Sequence, residues 1–174
     1  MTNLIAIHRT LSGKPRRLEL STIWQLILGH DAALKSARTQ VASRPLQGFK
    51  LGNDEAYKIL KVGITSKALE PVGDFMGLSK SLMANYLDLD RGTVTRLAAK
   101  DQILPTHAAE NVLRLLELDG MAAETFETEA EASAWLNRPH PMLDGETPLA
   151  VAMNSFGAQR VKDILLAIKY GGAA

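Results

Sequence analysis

The chain has 174 residues, 46% hydrophobic and 22% charged, with 20 Lys and Arg against 19 Asp and Glu and no cysteine. That suits one globular domain or two small ones and excludes a disordered tail, a collagen or a disulfide scaffold; it also removes thiol catalysis and Cys-ligated metal sites. The net charge of +1 hides a gradient of +6 over residues 1–61, 0 over 62–116 and −5 over 117–174, an asymmetry that points to different partners for the two ends, with a polyanion at the basic one.

The first ~50 residues hold a basic opening through Lys14-Pro15-Arg16-Arg17, an apolar patch Ile23–Leu28, a helical stretch from Ala32 and a breaker-rich segment from Ser43 to Asn53. Two readings stand for residues 1–53: a small packing or dimerisation element, or a basic arm that supplements affinity for DNA. Beyond them nearly every periodic stretch reads as helix and strand signals are scarce, so the fold class is all-α. Asp54 is expected to cap a helix over Glu55–Val62 that Gly63 stops. Pro71 fits only a first turn, which places the next helix from about Glu70 to Met76. Ser79 caps Lys80–Leu87 and Asp90 caps Arg91–Lys100. Pro105-Thr106 opens a helix to about Leu118. Thr128-Glu129-Ala130-Glu131 has the capping-box form, and its helix carries Trp135 and ends near Asn137. Pro139 and Pro141 enforce an irregular link, Thr147-Pro148 is a cap followed by proline at the first helical position, Gly157 is expected to interrupt, and Ala158–Lys169 forms the last helix. No apolar run approaches the ~18 residues of a membrane span, and the N-terminus has too short an apolar run and no basic lead for a signal peptide. A cytoplasmic protein with no membrane partner is the expectation.

Residues 80–97 have the layout of a helix-turn-helix. Ala84 is the small residue at the helix approach, Met83, Leu87, Leu89, Val94 and Leu97 supply the shared core, Asp90 caps the second helix, and Asp88 stands at the turn position that usually holds glycine. With Val94 and Leu97 inward, Arg91, Thr95, Arg96 and Lys100 face outward. A recognition helix lays its N-terminal face in the major groove, where arginine pairs with guanine and hydroxyls reach phosphates. Ser79, Lys80, Arg91, Thr93, Thr95, Arg96 and Lys100 are therefore the candidate DNA-binding residues; the alternative is an ordinary helical hairpin with a solvated Arg/Thr face. The neutral middle segment argues against a strong non-specific grip, so dimerisation or the basic N-terminal region would have to supply affinity. A homodimer is expected because one small helix-turn-helix reads too few base pairs alone.

The ordered stretch Trp135-Leu136-Asn137-Arg138-Pro139-His140-Pro141-Met142-Leu143-Asp144-Gly145-Glu146-Thr147-Pro148, followed by Gly157 and by Val161 through Gly171, resembles the toxin-binding domain of Xre/MbcA/ParS-type antitoxins. Such antitoxins carry an Xre-like helix-turn-helix region upstream, beginning with a segment like Gly63–Leu69, so the resemblance covers about Lys61 to Ala174. It departs twice: His140 stands where the family usually has asparagine, and Asp144 replaces the first of two glycines. The resemblance implies domains at 54–118 (Xre-like helix-turn-helix) and 119–174 (toxin-binding). It also implies a RES-domain toxin as partner, an NAD-consuming or ADP-ribosylating enzyme whose active-site cleft the antitoxin occludes, and a hetero-oligomer with that toxin that represses its own operon through operator DNA. Beside it, Arg160, Lys169, Tyr170, Gly171 and Gly172 are candidate toxin-binding residues; the plainer alternative is solvated helix charges and a frayed tail. The rivals are a stand-alone helix-turn-helix regulator without a toxin and a toxin-sequestering protein that no longer binds DNA.

Nothing supports catalysis. His8, His30, His107 and His140 are dispersed with no i,i+4 pair, and no P-loop, G-x-S-x-G or dinucleotide glycine pattern occurs. No cofactor is implied.

Overall fold

The computed structural model describes residues 16–29, 34 and 51–171. Among them are nine α-helices: α1 (Arg16–Leu28), α2 (Asn53–Val62), α3 (Leu69–Met76), α4 (Lys80–Tyr86), α5 (Arg91–Lys100), α6 (Thr106–Thr125), α7 (Glu129–Leu136), α8 (Pro148–Val151) and α9 (Ser155–Lys169), with 3₁₀ turns at Ser66–Ala68 and Pro141–Leu143. The fold is all-α; its sole extended pairing among the described residues is one antiparallel bridge between Thr65 and Ile103.

Most boundaries follow local capping. Ser79 accepts from the Leu82 N–H, Thr147 from Ala150, and Thr128 with Glu131 forms the reciprocal capping box. Three expectations are corrected. Asp54 does not cap α2: the cap position is Gly52, and Asp54 lies in the first turn, where it pairs with Lys58 at 2.5 Å. The acid four residues before the base is the favourable order on a helix. The helix expected to end near Leu118 runs to Thr125, because Leu118, Asp119 and Ala122 continue its buried face. Gly157 does not interrupt: Asn154 caps α9 through the Gly157 N–H, and the helix passes straight through the glycine. An added Cβ there would lie 1.8 Å from the Val151 carbonyl oxygen, so this glycine serves a close approach of α9 to the end of α8.

One apolar cluster joins Ile23, Trp24, Ile27 and Leu28 of α1 to Val72 and Phe75 of α3, Leu115 and Leu116 of α6, and Val161 and Leu165 of α9. Helix α1 packs on α3 and on the Ser66–Ala68 turn. Each of its four buried large side chains contributes about 1.5–3 kcal/mol on burial, which assigns this part of the N-terminal region to packing. The breaker-rich segment at 43–50, residues 1–15 and all of the helical stretch from Ala32 except Leu34 lie outside the described residues, as do His8 and His30.

Helix α6 contacts α2, α3, α7 and α9. It runs in the same direction as α9, since Lys162 pairs with Glu117 at 2.6 Å and Lys169 with Glu124 at 2.7 Å, seven residues further along both helices. A polar loop ties α4 to the α8–α9 junction. The Tyr86 hydroxyl donates to the Ala152 carbonyl (3.0 Å), Asn111 Nδ2 to the Tyr86 carbonyl (2.8 Å), and Arg114 to Asn111 Oδ1 (2.8 Å) and the Met153 carbonyl (3.5 Å). Burial pushes the Tyr86 phenol above its ordinary value of 10.0, partly opposed by the Arg114 charge.

Candidate DNA-facing and partner-binding surfaces

The pair α4–α5 is shaped by backbone chemistry. Leu89 N–H bonds to the Ala84 carbonyl (3.0 Å) and Asp88 N–H to the Asn85 carbonyl (3.1 Å), while Asp88 takes φ 53°. This is a Schellman ending with aspartate in the left-handed position that glycine usually fills. Asp90 then caps α5, accepting from the Thr93 N–H at 2.8 Å and from the Thr93 hydroxyl. That hydroxyl, followed by the N–H, holds the Asp90 carboxyl below the usual carboxylate range. Met83, Ala84, Leu87 and Leu97 are buried, with Leu89 and Val94 half-buried. The far end of α5 is fixed by Ser66, whose hydroxyl donates to the Leu97 carbonyl (2.6 Å) and accepts from Gln102 (3.0 Å), and by Asp101, which pairs with Lys67 at 2.6 Å.

Of the candidate DNA-binding residues, Ser79, Lys80, Arg91, Thr95, Arg96 and Lys100 are exposed and Thr93 is half-buried. Several are already engaged: Ser79 and Thr93 in the caps, Thr95 through its hydroxyl to the Arg91 carbonyl (2.9 Å), and Arg91 through its guanidinium to the Ser81 hydroxyl. The side chains of Lys80, Arg96 and Lys100 make no hydrogen bond or ion pair with the other described residues. Lys80, Arg91 and Thr95 share a groove of about 370 Å³ between α3, α4 and α5 with the carboxylates of Glu70 and Asp74. Two acids offset two bases there, in keeping with the neutral charge of this segment.

At the C-terminal end, α9 turns Ala158, Val161, Ile164 and Leu165 inward against α6. Arg160 faces outward and reaches back to the 141–144 turn, donating to the Met142 carbonyl (2.5 Å) and pairing with Asp144 at 3.2 Å. Lys169 is held by Glu124, whose hydrogen bond raises its pKa, and lies 5.9 Å from the Tyr170 ring centroid. Tyr170 is 76% exposed, and Gly171 closes the helix at φ 68°. Gly172, with Ala173 and Ala174, lies outside the described residues. Arg160 and Tyr170 lie ten residues apart along the chain, about 15 Å at ~1.5 Å per residue, Arg160 against the 141–144 turn and Lys169 against Glu124 of α6.

The two departures from the resembled pattern have a geometric account. His140 Nδ1 accepts from the Met142 N–H at 3.2 Å, capping the 3₁₀ turn as an asparagine oxygen would. Its ring packs edge-on against Trp135, which in turn lies 5.7 Å from the Phe126 ring. Asp144 adopts φ 57° ahead of Gly145 at φ 81°, so it fills a glycine-type position and supplies the carboxylate that meets Arg160.

Sequence reasoning missed Phe156, which is 89% exposed in the first turn of α9. Placing a break at Gly157 hid it. The available signal was its position four residues before Arg160, out of phase with the buried Ala158, Val161, Ile164 and Leu165.

Among the described residues no three His, Asp or Glu side chains converge as a metal site, and no helix is long and apolar enough to cross a membrane. Residues 121–171 match the profile described as the Antitoxin Xre/MbcA/ParS C-terminal toxin-binding domain. Over 125 residues the chain is 28% identical to a "Prs ADP-ribosylating antitoxin" of Sphingobium sp. (strain YBL2), an alignment covering 67% of this chain and 79% of that relative.

Proposed function

We propose that the chain is an antitoxin of the Xre/MbcA/ParS type that neutralises a RES-domain, ADP-ribosylating toxin and binds operator DNA. The observation that carries the reading is the match of residues 121–171 to a toxin-binding domain. The relative's name, which couples an antitoxin to ADP-ribosylation of Prs, supports an NAD-consuming enzyme as partner. The functional division follows residues 54–118 for DNA and 119–174 for the toxin, with α6 as their common wall.

The physical case for occlusion rests on charge and shape. A cleft that binds NAD presents cationic groups and backbone donors to the pyrophosphate, so the net −5 of residues 117–174 steers this end toward it. Tyr170 stands exposed after the last turn of α9, followed in sequence by Gly-Gly-Ala-Ala, a stretch without bulky side chains, and the Lys162–Glu117 and Lys169–Glu124 pairs brace the helix that would present it. The toxin is inhibited by being covered, with no chemical step required of the antitoxin.

For DNA, the outward Arg96 and Lys100 of α5, with Lys80 and Arg91 beside them, would enter a major groove. A two-fold dimer would place two such helices on a palindromic operator. The mixed charge of the groove makes monomer affinity low, which fits binding as a dimer or as a complex with toxin.

Co-purification of the chain with the product of the adjacent reading frame tests the partnership, and deletion of Lys169–Ala174 tests occlusion: toxicity should return on co-expression, and full protection would reject the tail's role. Arg91→Ala with Arg96→Ala should abolish a gel shift on the upstream promoter; an unchanged shift would remove α5 from the DNA contact.

A further inference from the structure

We propose that Phe156 and Arg160 form a separate apolar and cationic anchor for the toxin, at the opposite end of α9 from the tail. This rests on the toxin-binding reading of residues 121–171 and adds to it a second point of contact.

Phe156 is the most exposed large apolar side chain among the described residues, at 89%. It adds nothing to the core, whose α9 contribution comes from Ala158, Val161, Ile164 and Leu165, and aromatic residues are poorer helix formers than alanine. It is not a lone surface residue. Met142 and Met153, from the two adjoining segments, are also exposed, and a hollow of about 380 Å³ beside it is lined by Leu143, Asp144, Val151, Asn154 and Arg160. Such a projecting ring next to a hollow gives a partner both a knob to enclose and a depression to fill.

Arg160 lies one helical turn from Phe156 and is already oriented. Its hydrogen bond to the Met142 carbonyl and its pairing with Asp144 fix the guanidinium, so less side-chain freedom is lost when a partner engages it. The Asp144 carboxylate is largely in water, where such a pair contributes little, so an acceptor on the partner can share the guanidinium's remaining donors. The fitting partner surface is an apolar pocket for the ring, rimmed by a carboxylate or carbonyl oxygens for the arginine. Aromatic and arginine side chains set together in this way are the residue types that dominate interface energetics. The occupant is the toxin because the patch falls inside the matched toxin-binding segment.

The test uses the full chain and the enzyme encoded by the adjacent reading frame, with affinity measured by calorimetry and oligomeric state by light scattering. Phe156→Ser should weaken toxin binding about 30-fold or more while the unfolding midpoint stays that of the wild type, because the ring is in solvent. Combined with deletion of Lys169–Ala174, the two losses should multiply, since the sites are about 20 Å apart along the helix. Wild-type affinity in Phe156→Ser would overturn the anchor and leave the tail mechanism standing. Loss of self-association with unchanged toxin affinity would also overturn it, and would make the patch a contact between copies of this chain. Failure of the wild-type chain to bind the enzyme would remove the toxin-binding reading on which the anchor depends.

Discussion

Gly157→Ala isolates the contact that sets α9 against α8. In an ordinary helix interior the change would be favourable by about 1 kcal/mol, because alanine loses less backbone freedom. Here the new Cβ would lie 1.8 Å from the Val151 carbonyl oxygen, 2.8 Å from its carbonyl carbon and 3.1 Å from Val151 Cγ1. Reaching even a 3.0 Å separation needs about 1.2 Å of backbone displacement, in a region where Leu149, Ala152 and Ala158 are buried. Overpacking of this kind costs typically about 1–3 kcal/mol and more where backbone must move. The clash therefore exceeds the propensity gain, for a net loss of about 2 kcal/mol, or a fall in Tm of about 4–8 °C for a chain of this size. Gly73→Ala in α3 is the matched comparison: its Cβ would meet Met83 Cε at 3.4 Å and the Leu78 carbonyl at 3.5 Å, ordinary contacts. That variant should gain up to about 1 kcal/mol. Thermal and urea unfolding of both variants, followed by circular dichroism, decides the matter. A Gly157→Ala protein as stable as the wild type would refute the close-approach account.

Two further outcomes follow from buried and capping groups. Tyr86 is favoured in its neutral form by burial, so its folded pKa lies above its unfolded value near 10. The stability it contributes is present below that pH and declines as pH rises above it. The wild-type urea midpoint should therefore fall more steeply between about pH 10 and 12 than that of Tyr86→Phe, and parallel curves would reject the assignment. Tyr86→Phe should also cost about 1 kcal/mol at neutral pH by leaving the Ala152 carbonyl without its donor. At the 3₁₀ turn, His140→Asn should retain wild-type stability because its oxygen can take the Met142 N–H, whereas His140→Ala should lose about 0.5–1 kcal/mol. Equal melting of the two variants would show that the imidazole's contact with Trp135, rather than the cap, is what counts.

Much of the secondary structure was legible because its signals are local. Ser79, Asp90, Thr128 and Thr147 each satisfy a helix N-terminus from within four residues, and all four cap in the structure as their positions suggest. The outward positions on α5 were legible too, since Leu97 and Val94 fix the helix phase. What was not legible is where side chains already spend their hydrogen bonds. Lys169 is braced on Glu124, 45 residues away in sequence, and Arg160 on Asp144; neither partner is marked by spacing. Phe156 was hidden for the converse reason, because an exposed apolar residue looks like a core residue until the helix phase is known.

By itself, then, the sequence determined an all-helical chain, its capped boundaries from Ser79 to Thr147, and the segment that carries the antitoxin resemblance, because these depend on neighbours along the chain. Tertiary structure alone decided that α1 is part of the core, that α6 runs on to Thr125, and that Gly157 is a contact rather than a break. It also decided that α9 lies parallel to α6 with Phe156 outward. Each of these depends on what lies across the interior, where a residue's neighbours are set by packing and not by its place in the chain.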